Sequence, residues 1–139
     1  MKAKLPRFGL CLVLLGGLAG LSACGDNKSQ STVPSRPVTS ARIQILEPTP
    51  NQETGPDVTV KVDLTGAKEV QPAQGDVKPD EGHIHIVLDG QVVAMAYGTQ
   101  QDLHGLKPGK HSLQADFVAI DHLPFQNRVL AAVIFSVKP

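Results

Sequence analysis

Thiols and aromatic rings are scarce in this chain. Of its 139 residues only Cys11 and Cys24 are cysteines, and tryptophan is absent. Both cysteines lie near the start, so everything after Cys24 lacks a thiol. That excludes an internal disulfide, a thiolate nucleophile and a cysteine-ligated zinc or iron–sulfur centre downstream. One tyrosine and four phenylalanines are too few for platforms that stack bases or sugars. Thirteen basic residues balance thirteen acidic ones and are dispersed, so nothing marks a nucleic-acid partner. Enzyme motifs are missing too. No serine sits in a G-x-S-x-G or S-x-x-K pattern, and no glycine-rich phosphate loop follows a strand. Asp80 and Glu81 are adjacent, and on an extended backbone their carboxylates diverge, which suits no acid–base pair. The sequence reads as non-catalytic.

What is present begins with an export pattern. Lys2, Lys4 and Arg7 precede residues 8–21, FGLCLVLLGGLAGL, which are apolar or glycine throughout. This predicts a secretory signal peptide over residues 1–23. The run is short for a membrane span, and no stop-transfer pattern follows; a single-pass anchor is the alternative. The run closes on LSAC, Leu21 to Cys24, which resembles the lipobox of bacterial lipoproteins. That resemblance implies cleavage before Cys24 and acylation of Cys24 itself. The acyl chains would hold the protein to a membrane surface of the cell envelope, each buried CH₂ contributing roughly 0.8 kcal/mol. Residues 25–40, GDNKSQSTVPSRPVTS, carry no periodicity and read as a flexible tether. Residues 41–139 then form one domain of ordinary size.

Within that domain strand signals dominate. ARIQIL, DVTVKVDL, GHIHIVL, QVVAMAY, KHSLQADFVAI and RVLAAVIFSV alternate or run apolar, with turn residues between them. No amphipathic helix and no internal repeat is apparent. The expectation is an all-β fold, an immunoglobulin-like antiparallel β-sandwich of about seven strands. A small barrel is the alternative. Val60, Ile84, Ile86, Leu113, Phe117, Val133 and Phe135 are the expected core. Residues 66–82 make a long connection, read either as a loop holding a short edge strand near Ala67 to Gln71 or as a functional loop.

GHIHIVLDG places His83 and His85 on one strand face and Ile84, Ile86 and Leu88 on the other. A two-residue turn at Asp89–Gly90 would pair Leu88 with Gln91, Ile86 with Val93 and Ile84 with Met95. Met95 would then be core, and the histidines would face outward beside Ala94 and Ala96. In an immunoglobulin-like order the His83 strand lies against the one ending at Ile120. That brings His122 and Asp121 close, with Asp80 and Glu81 approaching from the preceding turn. His83, His85 and His122 with Asp121, as ligand or supporting partner, make a candidate copper or zinc site. The competing reading is a polar sheet face with a hydrogen-bonded loop. His111 reads as a structural histidine beneath the Pro108–Gly109 turn, and His104 lies at the far end of the sandwich.

The segment LKPGKHSLQADFVAIDHLPFQNRVLAAVIFSV resembles the last strands of the periplasmic copper-resistance CopC-like domain. Leu106, Pro108, Gly109, Asp121, His122, Phe135 and Val137 carry that resemblance. It implies an immunoglobulin-like fold and an envelope location. The family's N-terminal histidine ligand has no counterpart, since no histidine precedes His83. A copper role would require His83 or His85 instead. The chain also resembles uncharacterised exported domains with a histidine-rich strand. Two functions follow as expectations: a lipid-anchored protein that binds or delivers copper or zinc, or a metal-free accessory domain that contacts another envelope protein.

Overall fold

The computed structural model describes residues 35–139. Nine strands follow in order: β1 (Arg42–Glu47), β2 (Glu53–Thr54), β3 (Val58–Thr65), β4 (Lys68–Glu69), β5 (Glu81–Leu88), β6 (Gln91–Ala96), β7 (Gln100–Leu103), β8 (Gly109–Ala119) and β9 (Val129–Val137). They form two layers. One sheet has the order β1-β3-β7, the other β2-β9-β8-β5-β4, with β6 also paired to β5. The fold is all-β and immunoglobulin-like. The two strands beyond the expected seven, β2 and β4, are two residues long and join in parallel to β9 and β5. Strand β4 is the short edge strand anticipated within residues 66–82.

Alternation builds the core. Val58, Val60 and Val62 of β3 face Ile84 and Ile86 of β5 and Leu113, Ala115 and Phe117 of β8 across the interior. All seven expected core residues are buried. Phe125, from the loop between β8 and β9, stacks on Phe117 with ring centroids 5.4 Å apart and pins that loop to the core. His111 behaves as expected of a structural residue. Nδ1 meets Asp89 Oδ2 at 2.7 Å, Nε2 meets the Lys107 carbonyl at 2.8 Å, and the ring lies over Phe135.

Two expectations need correction. The hairpin between β5 and β6 is irregular. Leu88 pairs with Gln91 and Val87 with Val92, but Ile86 then pairs with Ala94, His85 with Met95 and Ile84 with Ala96. Val93 is the extra residue of a β-bulge, and one extra residue moves everything beyond it to the opposite face. Met95 therefore shares the histidine face, about half exposed, and Ala96 takes the core position. The second correction concerns residues 36–40, expected in the tether. They lie against the domain, with Thr39 buried and the Pro37 carbonyl accepting the Gln126 N–H at 3.0 Å.

Candidate metal centre

The expected neighbourhood of β5 and β8 is realised. Gly82 pairs with Ala119, His83 with Val118 and His85 with Asp116. The start of β5 thus lies beside the end of β8, and the turn after β8 carries His122 over the sheet. His122 adopts a left-handed backbone, φ 64°. Such a conformation persists for a non-glycine residue only where its surroundings hold it. Here the His122 N–H donates to the Ala119 carbonyl and the Ala119 N–H to the Leu123 carbonyl, both at 3.0 Å.

The result is a triangle of imidazole nitrogens. His83 Nε2 lies 3.0 Å from His85 Nε2, and His122 Nδ1 lies 3.1 Å from each. Hydrogen bonds alone cannot satisfy this triangle. Each nitrogen is either a donor or an acceptor, and three groups of two kinds always leave one edge between like partners. One contact near 3 Å would set lone pair against lone pair or N–H against N–H. A cation resolves all three edges at once, because every nitrogen then presents a lone pair. His83, His85 and His122 would hold such an ion through one nitrogen each, which leaves a coordination position for a further ligand.

Burial prepares the same state. His83 is fully buried and His85 nearly so. They lie on the outer face of the sheet, as the sequence implied, but the turn carrying His122 covers them: the rings pack on one another and on His122, with Tyr97 6.3 Å from His83. Burial, followed by repulsion from His85 and His122, lowers the His83 pKa from its ordinary 6.5 to about 4. His85 is lowered too, first by burial and then by His122, with Asp116 opposing. Both rings stay neutral near pH 7, the form that coordinates a metal. Nδ1 of His83 is buried without a partner, so in either tautomer this ring is incompletely satisfied.

These shifts predict how the metal-free fold responds to acid. The unfolded chain takes up protons near pH 6.5 at both histidines, whereas the fold resists them. The contribution of these two rings to stability is therefore full above pH 6.5 and declines as pH falls toward about 4. His111 acts outside this window, because its pKa is raised, by the Lys107 carbonyl first and then Asp89. Its contribution is lost only as pH rises. Urea midpoints measured between pH 7 and pH 4 should fall steadily; constant midpoints would contradict the burial of His83 and His85 as neutral rings.

The structure does not bring Asp121 into the triangle. Its carboxylate is held by Arg36, with Nη1 to Oδ2 at 2.7 Å and Nη2 to Oδ1 at 2.9 Å, and Oδ1 also accepts the Leu123 N–H. The guanidinium pushes the Asp121 pKa below the usual carboxylate range. Asp121 therefore fastens the loop that carries His122. Arg36 further donates to the carbonyls of Leu123, at 3.0 Å, and Pro124. Thr39 binds Asn127 through two 2.8 Å bonds and donates its hydroxyl to Asp80 at 2.6 Å. Residues 36–40 thus tie the segment entering β5 to the loop after β8, the two sources of the triad.

Asp80 is spent on this strap, and Glu81 lies 3.6 Å from Lys78; neither joins the triad. His104 pairs with Asp57 away from it. Sequence reasoning missed Asp116, which lies opposite His85, bound by Arg128 at 2.9 Å and Gln114 at 2.6 Å. A carboxylate inside an otherwise apolar strand end was its available signal. Arg36 offered none.

No family model matches the chain, and no curated protein matches it. Among solved structures it is similar to the fibronectin(III)-like modules of Clostridium thermocellum CbhA. The identity is 11% and the TM-score 0.49, over 73% of this chain and 48% of that one. The chain spans about half the length of that structure.

Proposed function

We propose that this is a lipid-anchored cell-envelope protein whose β-sandwich binds or delivers copper or zinc through His83, His85 and His122. The observation that carries the reading is the nitrogen triangle, with edges of 3.0–3.1 Å that no set of tautomers satisfies. The anchor rests on the basic start, the apolar run and LSAC, and on the distant copper-resistance likeness only for compartment. Residues 1–34, Cys24 among them, lie outside the described residues. Mass spectrometry of the mature protein should find an acylated Cys24 at the N-terminus; an unmodified Cys24 rejects the anchor.

Calorimetric titration of residues 25–139 with Cu(II) and Zn(II) tests the site. Replacing His83 and His85 together with alanine removes two of three ligands and should weaken binding about 100-fold or more. Affinity should also fall as protons compete for the imidazoles. Equal binding by the variant would remove the metal reading. A second reading rests on a separate observation. Val92, Val93, Met95 and Tyr97, in and just after β6, are about half exposed beside the site, which favours contact with another envelope protein. That reading leads if the titration is silent.

A further inference from the structure

We infer that Met95 supplies a thioether to the His83–His85–His122 site, so that the site takes copper(I) in preference to zinc(II). This rests on the metal reading above and goes beyond it in naming a fourth ligand and the metal class.

The bulge at Val93 is the starting point. In a regular hairpin Met95 would point into the sandwich opposite Ile84. The bulge turns it onto the other face, opposite His85. Directly opposed residues on antiparallel strands have Cβ atoms about 4.5–5.5 Å apart. Bulges are common beside functional sites, where they re-aim a side chain. Here the re-aimed side chain is one of only two methionines in the sequence, the other being Met1. It sits about half exposed, whereas the regular register would have buried it. A flexible, unbranched thioether directly across from His85 can swing its sulfur toward the imidazole cluster.

Of the carboxylates nearest the triad, Asp121 and Asp116 are already engaged, and Glu81 faces Lys78 at 3.6 Å. Asp121 is held by Arg36, and Asp116 by Arg128 and Gln114. A hard carboxylate, which would suit zinc, would have to break one of these pairs first. A soft thioether joined to imidazoles selects copper(I), while zinc gains little from it. Three nitrogens and one sulfur would complete a four-coordinate shell.

The test uses the full chain in detergent with Cys11 and Cys24 replaced by serine, so that no thiol competes for copper(I). Copper(I) affinity is measured anaerobically by competition with a chromophoric chelator, and zinc(II) affinity by calorimetry. Met95→Leu keeps the volume and removes the sulfur. It should weaken copper(I) binding about tenfold or more and leave zinc(II) within about twofold. X-ray absorption of the copper(I)-loaded chain should show a sulfur scatterer that the variant lacks. Unchanged copper(I) affinity, equal losses for both metals, or a spectrum without sulfur would overturn the assignment. The His83→Ala, His85→Ala variant runs alongside. If it binds both metals like the wild type, the triad itself has failed; if only Met95→Leu is silent, the triad stands and the thioether does not.

Discussion

Urea unfolding of a Phe117→Ala variant should show a loss of about 3–5 kcal/mol. Phe117 is essentially fully buried at the C-terminal half of β8, paired with Ile84 on one side and Val129 on the other. Its ring stacks on Phe125 with planes 13° apart. Removing it forfeits the transfer free energy of the ring and leaves a cavity that a twisted two-sheet core cannot close. The effect should extend to the site. Phe125 anchors the loop that holds His122, and with its partner gone that loop loses its packing on the core and keeps its backbone bonds, the Arg36 clamp and the Thr39–Asn127 bonds. Zinc affinity of the surviving folded fraction should therefore fall as well. A loss below about 1 kcal/mol would mean that the two sheets repack around the gap.

How far the sequence reached follows from which interactions are periodic. Strands β3, β5, β8 and β9 announce themselves because burial on one face forces alternation, and their partners follow from the immunoglobulin-like order. The convergence of His83, His85 and His122 was legible for the same reason: two share a face by the pleat, and the third lies in the turn that the strand order places beside them. Met95 was misread because a bulge leaves almost no trace in sequence. Val92 and Val93 are both β-branched, and nothing marks one of them as extra. The strap was missed for another reason. Arg36 and Thr39 lie in a polar, proline-bearing segment without periodicity, and their value lies in reaching Asp121, Asn127 and Asp80, residues 41 to 88 positions away. Composition registers what a segment can bury by itself, not a set of hydrogen bonds across the fold. Asp121 reads as a ligand or a supporting partner because it adjoins a histidine; the structure gives it the supporting role, since its side chain answers to Arg36, which adjacency cannot show.

Gly82 lies where the fold and the site meet, and its replacement should disturb both. A Cβ at this position would lie 2.1 Å from the Val118 carbonyl oxygen and 2.9 Å from Phe117 Cζ. The backbone of Gly82 does not require a positive φ; what requires glycine is space. Strands β5 and β8 meet at the Gly82–Ala119 pair, and the Phe117 ring fills the core side of that seam. Gly82→Ala must therefore push the strands apart, because a carbonyl inside a hydrogen-bonded ladder cannot rotate away. Overpacking of this kind costs about 1–3 kcal/mol and sometimes more, and a backbone clash this close belongs at the upper end. The same separation moves His83, the next residue, away from the turn that carries His122. Metal affinity should fall along with the urea midpoint. Combining Gly82→Ala with Phe117→Leu distinguishes the two clashes. The shorter side chain relieves the contact with Cζ but leaves the Val118 oxygen where it was. The double variant should therefore remain at least as unstable as Gly82→Ala alone. Recovery in the double variant would place the strain in the core rather than in the seam between β5 and β8, and wild-type stability in the single variant would show that the strands part without cost.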